Sequence, residues 1–185
     1  VPLHLVTPPA LEPVSVAELK VHAAVDGDDQ DAMLAALIGT ARTVIERRRS
    51  LAMITQVWAW SGPAAAGKAS LPLPLAPVRS GAAVSVRYRT EAGDEMDLPA
   101  DAFRLVASDV LPRLVPVGAW PAMARAAPDA LTVTFAAGFG GAASDVPLPL
   151  RQEVLMYATA LYDRREAATE PLQLVMAGAY GPLVF

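Results

Sequence analysis

Residues 61–70 read SGPAAAGKAS and place Gly62, Gly67 and Lys68 at the G-x-x-x-x-G-K spacing of a phosphate-binding loop. Such a loop cradles phosphates with successive backbone N–H groups and a lysine, and a Ser or Thr after the lysine holds magnesium. Ala69 occupies that position. The motif also needs a helix behind it, whose free N–H groups and dipole face the anion. Here Lys68 is followed by ASLPLPLAP, and prolines so placed do not open a helix. The stretch reads as a small-residue turn between strands, with Lys68 facing water. A small nucleotide-binding enzyme built on this degenerate loop from Gly62 to Lys68 stands as the alternative function.

Other chemistry-bearing residues form no constellation. The glycines of GFGG (residues 138–141) follow a strand pattern, but AASDVP separates them from the next helix, so they do not present pyrophosphate to its N-terminus. A loop with left-handed backbone positions is the better reading. DGDDQD (residues 26–31) lacks the Gly and Glu of a helix-loop-helix calcium site, since Asp31 and Leu37 fall where those residues belong. Its acids, Asp28 or Asp29, are read as capping the following helix. His4 lies in a proline-rich arm, and His22 has no second histidine one turn away to complete a metal site. Asp94 and Glu95 fall in a turn, where polar residues belong. The chain has no cysteine, hence no thiolate ligand or thiol nucleophile. The expectation is a non-enzymatic protein with no catalytic, cofactor-binding or metal-binding residues.

The elements behind these residues follow from periodicity. Residues 1–14 carry several prolines and read as an extended arm. SVAELKVHAAV opens with a Ser15–Glu18 capping box and predicts a helix over about 15–25. A longer helix is predicted over 29–49, with Met33, Leu34, Leu37, Ile38, Ala41, Val44 and Ile45 on one face. Its terminal Arg47, Arg48 and Arg49 suit the negative end of the dipole and read as solvated. From residue 54 the period changes to two. Val57 and Ala59 alternate with Gln56, Trp58 and Trp60. Leu131, Val133 and Phe135 share one side of a later strand. Val84, Val86 and Tyr88 open a hairpin that turns at Gly93–Asp94 and returns through Phe103 and Leu105. The LPLPL segment allows only an edge strand. A last helix is predicted over 148–168, with Pro149 at its first turn. The fold class is α+β: a helical scaffold of two N-terminal helices and a long C-terminal helix, an antiparallel β insertion over about 54–137, and an extended C-terminal arm over 170–185. Nothing divides the chain into independent domains, so residues 1–185 read as one domain.

Composition narrows the classes further. Of 185 residues, 54% are hydrophobic and 18% charged, with a net charge of −4, which argues against a dedicated nucleic-acid binder. No apolar run is long enough to cross a bilayer, and the N-terminal residues lack the basic region of a signal peptide. A soluble, non-exported protein is expected. The tail, TEPLQLVMAGAYGPLVF, is unusually apolar. Leu172, Leu174, Val175, Met176, Tyr180, Leu183, Val184 and Phe185 would meet water in a free chain, and Pro and Gly prevent one continuous helix. Either the tail folds back on its own core, or it is an arm that docks on a neighbouring protein.

The order of these segments resembles the head–tail connector (adaptor) family of long-tailed phages and phage-derived gene transfer agents. The resemblance rests on PVSVAELKVHAAVDGDDQDAMLAALIGTARTVIERRRSLAMITQVW near the start and on LTVTFAAGFG followed by VPLPLRQEVLMYATALYDRRE near the end. It covers about residues 13–168 and is carried by order and spacing rather than by any single motif. The region between Gly62 and Ala130 does not align, Met53 and the Arg-rich 47–49 depart from the pattern, and the tail after Thr169 is not recognisable. The resemblance implies a structural protein without a cofactor. It would form a ring of copies of itself, usually twelve, between the portal protein and a tail-proximal neck or stopper protein. DNA would pass through the channel without specific binding, and no membrane would be involved. The particle neck would be its location, after assembly in the bacterial cytoplasm. The eight apolar tail residues would form the portal-docking arm. A neck or tail-completion protein lower in the same particle is the other structural alternative.

Overall fold

The computed structural model describes residues 3–164 and is α+β, with three α-helices and two antiparallel sheets. By packing, the chain forms two compact units. One takes the N-terminal residues through Pro9 and the stretch Thr55–Gly138, the other Ala10–Ile54 and the stretch from Phe139 onward.

The β unit holds a five-stranded sheet in the order β1 (Leu3–Thr7), β2 (Gln56–Gly62), β8 (Leu131–Ala137), β4 (Val84–Arg89), β5 (Glu95–Leu98). The pairing of Trp58 with Phe135 and of Phe135 with Val84 puts Gln56, Trp58, Trp60, Val133, Phe135, Val84 and Val86 on one face. That is the side expected from the alternation, because a period of two sends every second side chain to the same face. Phe135, Val133 and Leu131 are fully buried there, and Gln56 is buried among them. A three-stranded sheet runs β3 (Leu71–Pro72), β7 (Arg113–Pro116), β6 (Phe103–Val106). The proline-interrupted β3 is an edge of only two residues, because Pro72 has no N–H for a ladder.

Two details differ from the sequence expectation. The N-terminal arm contains a true strand: β1 pairs with β2 from Leu3↔Trp60 to Thr7↔Val57, with an irregularity between Leu5 and Thr7. The hairpin that turns at Gly93 returns at once through β5, with Arg89 opposite Glu95 and Val86 opposite Leu98. Phe103 and Leu105 lie instead on β6, in the other sheet. A short 3₁₀ turn at Ala100–Ala102 redirects the chain between them.

The helical unit contains α1 (Val16–Ala23), α2 (Asp31–Arg49) and α3 (Leu148–Arg164). The capping box of α1 is formed: Glu18 N–H donates to Ser15 Oγ, and the Ser15 N–H donates to Glu18 Oε2 at 2.7 Å. No acidic side chain caps α2. Its N-cap is Gln30 without a side-chain bond, and Asp28 pairs with Lys20 instead. Leu19, Leu34, Ile38, Ala41, Ile45, Met53, Ile54, Val146, Val154 and Ala158 form one buried cluster. These are the faces expected from the 3–4 spacing, joined by the link after α2.

Candidate assembly surfaces

The helical unit is pinned by two arginines that the sequence did not single out. Arg42 on α2 donates from Nε to Glu12 Oε2 at 2.7 Å and from Nη1 to Glu46 Oε2 at 2.8 Å. Glu46 Oε1 accepts from the Met53 backbone N–H at 2.7 Å. Arg42 therefore ties α2 to the incoming arm through Glu12, and the buried Glu46 carboxylate joins that guanidinium to the outgoing link. Burial pulls the Arg42 guanidinium down in pKa, but the bonds and charges of Glu12 and Glu46 outweigh it and the net shift is upward. Arg151 on α3 donates to the carbonyl of Pro13 and to Glu18 Oε1. Bonds from Ser15 and the Arg151 charge hold the Glu18 carboxyl below its ordinary range.

Both ring nitrogens of His22 lie within hydrogen-bond distance of side chains on α3. The Gln152 amide lies 3.2 Å from its Nε2 and Thr159 Oγ1 lies 3.0 Å from its Nδ1. With the amide donating to Nε2, the Nδ1–H donates to Thr159 Oγ1. Among the described residues, no group of three His, Cys, Asp or Glu could hold a metal ion. No helix among them is long and apolar enough to cross a membrane. The terminal arginines of α2 are not simply solvated: Arg49 pairs with Glu153 on α3, and Arg48 sits over the Tyr157 ring.

Between α1 and α3 runs a groove of about 450 Å³, lined by Ala17, Glu18, Val21, His22 and Leu155. Val21 is 85% exposed beside it, and Leu155 is half-buried. In the β unit the outer strands β1 and β5 are the free edges of the five-stranded sheet. Leu5 and Val6 are exposed on β1 and Met96 on β5. On β5 the charges are already paired, Arg87 with Asp97 and Arg89 with Glu95.

The loop from Gly62 to Lys68 runs from strand β2 toward strand β3, with no helix after it. The Lys68 N–H donates to Ala65 O, and Lys68 O accepts from the Trp120 indole N–H, both at 3.0 Å. A shallow cleft of about 320 Å³ beside the loop is lined by Pro63, Ala64, Ala66, Gly67 and Arg125. Lys68 is not among its lining residues. In the later glycine loop Gly138 adopts a positive φ of 144°, while Gly140 serves close approach, because a Cβ there would fall 2.1 Å from Asp145 Oδ2. The eight apolar tail residues named as a docking arm, Leu172 to Phe185, lie outside the described residues.

The whole arrangement has counterparts among solved structures. A chain in the neck of an empty GTA particle computed with C6 symmetry is 30% identical, with a TM-score of 0.74, over 97% of this chain and 93% of that one. A chain in the virion of a native gene transfer agent (GTA) particle is 29% identical with a TM-score of 0.74, over the same 97% and 93%. A chain in the neck of a native GTA particle computed with C12 symmetry is 29% identical with a TM-score of 0.72, again over 97% and 93%. No protein-family model matches the chain, and no curated protein matches it.

Proposed function

We propose, for a chain that belongs to the structural neck proteins of phages and gene transfer agents, that it acts as the head–tail connector: a ring between portal and tail that extends the DNA channel. The observation that carries this reading is the extent of the likeness. Both compact units, and 97% of the chain, align at 30% identity with a chain from such a neck. Residues 1–185 then act as one connector domain, by contact with other proteins rather than by turning over a substrate.

Neck structures computed with C6 and C12 symmetry support a closed ring, with twelve copies as its size. A closed ring needs two different, complementary surfaces on each copy, and the two edges of the five-stranded sheet, β1 and β5, are two different surfaces. A net charge of −4 suits a channel wall that lets DNA pass without gripping it, since tight binding needs clustered cations to release counterions. The apolar residues from Leu172 to Phe185 form the portal-docking arm. The ring assembles in the bacterial cytoplasm, and its other face receives a tail-proximal neck or stopper protein.

Deleting residues 171–185 tests the arm. The clustered core of the helical unit runs from Val14 to Tyr162, so the truncated chain still folds. It no longer co-sediments with the portal ring. A truncated chain that still binds the portal removes the arm. Attachment only to a tail-side component makes the chain the lower neck protein.

A further inference from the structure

The groove between α1 and α3 has an unusual balance. Its polar members are already satisfied within the chain: Glu18 by Ser15 and Arg151, His22 by Thr159 and Gln152. What it lacks is cover for apolar surface, since Val21 is 85% exposed and Ala17 is exposed beside half-buried Leu155. An occupant that fits is therefore apolar and brings no charge that needs a partner. This chain carries such a segment close by. Helix α3 ends at Arg164, nine residues beyond Leu155, or about 14 Å along the helix axis. The seven residues 165–171 span up to about 23 Å when extended, enough to bring Leu172, Leu174, Val175 and Met176 back to the groove. Tethering gives that segment an effective concentration on the order of millimolar, well above that of a separate partner.

We propose that in the free chain residues 172–176 occupy the α1–α3 groove of their own copy, and that portal docking draws them out. The second half rests on the docking-arm reading above; the first half stands on the groove and the reach of the chain. Self-docking shields an adhesive segment until the portal competes for it, and it keeps free copies from joining through exposed tails.

The absence of cysteine makes the test direct. Val21→Cys combined with Val175→Cys is oxidised mildly in the isolated full-length protein. A disulfide needs Cα atoms within about 7 Å, so its formation reports residence in the groove. The expected product is a monomer with an internal link, formed at least tenfold faster than in a control pairing Val175→Cys with Ala36→Cys on the exposed side of α2. Ala17→Cys with Val175→Cys is the second variant should the first not fold. Equal rates for groove and control pairs, or a link found only between copies, overturn the occupancy. Adding portal is expected to lower the yield at least fivefold, and an unchanged yield in the bound complex overturns the release. The crosslink is read without portal, so it can fail while the deletion assay succeeds, and the reverse.

Discussion

The guanidinium of Arg42 meets the carboxylate of Glu12 edge-on, Nε to Oε2 at 2.7 Å and Nη2 to Oε1 at 3.2 Å, across 30 positions of sequence. This bidentate pair fastens the incoming arm to α2. Glu46, only 6% exposed, takes the remaining side of the same guanidinium and also the Met53 N–H. The two carboxylates are therefore unequal. Glu46→Ala strands a buried N–H and half of a buried cation, and is expected to cost about 3 kcal/mol. Glu12→Ala lets water reach a partly open site and is expected to cost about 1 kcal/mol. Urea unfolding of the two variants measures both, and equal losses would contradict the hierarchy.

A second prediction concerns acid. The folded pKa of Glu18 is depressed below 4.5 by bonds from the Ser15 backbone and hydroxyl, and then by Arg151. Between the folded and unfolded values the unfolded chain binds more protons, so the stabilisation is complete above about pH 4.5 and is lost as pH falls through the folded value. Asp28, lowered by Lys20, acts in the same direction. Glu18→Gln is expected to melt below the parent at pH 6, with the gap narrowing as the pH falls toward 3. A gap that stays constant across that range would mean the carboxylate is not depressed.

Periodicity made the helices and the inner sheet face legible, because α2, α3, β2 and β8 each bury one face over several turns or residues. Strand β1 was not legible: prolines dominate its neighbourhood, and its pairing with β2 joins positions more than fifty residues apart, as Leu3 with Trp60. The sequence puts the return of the hairpin at Phe103 and Leu105 because β5, EMDL, is only four residues long and is held by cross-strand pairs such as Arg87–Asp97. The acids of DGDDQD read as caps, but Lys20, eight residues before Asp28, offers a stronger partner to Asp28 and Asp31. Arg42, Glu46 and Arg151 carry no mark in the sequence, because a charged residue on a helix reads as solvated until the opposing carboxylates or carbonyl are known. The α1–α3 groove is a property of packing, and no spacing in the sequence marks it.

The glycine loop gives a third prediction. Gly140 N-terminal to the Asp145 turn leaves no room for a methyl group: an added Cβ would lie 2.1 Å from Asp145 Oδ2 and 2.6 Å from its Cβ. Asp145 in turn accepts the Ala142 N–H at 2.9 Å. Gly140→Ala is expected to cost about 1–3 kcal/mol through overpacking. Adding Asp145→Ala removes the carboxylate contacts but leaves the Cβ in the way at 2.6 Å, so it recovers less of the loss than adding Asp145→Gly. Thermal melts of the three variants check this, and equal recovery with Asp145→Ala would place the conflict at the carboxylate alone.

The last prediction returns to the loop with phosphate-like spacing. Its conformation is fixed by Trp120, 7% exposed, whose indole N–H donates to Lys68 O at 3.0 Å. Trp120→Phe keeps an aromatic ring but removes the donor and part of the indole, leaving one carbonyl without its partner and a small void, at an expected cost of about 1–3 kcal/mol. The loosening is local. Exchange of the Lys68 amide, bonded to Ala65 O, is expected to quicken, while the β2–β8 ladder keeps its protection because its register does not involve the loop. A turn that serves to join two strands has no use for nucleotide, so calorimetric titration with ATP and magnesium gives no heat for the parent, for Lys68→Ala or for Trp120→Phe. Saturable binding to the parent that disappears in Lys68→Ala would restore the nucleotide reading and displace the structural one.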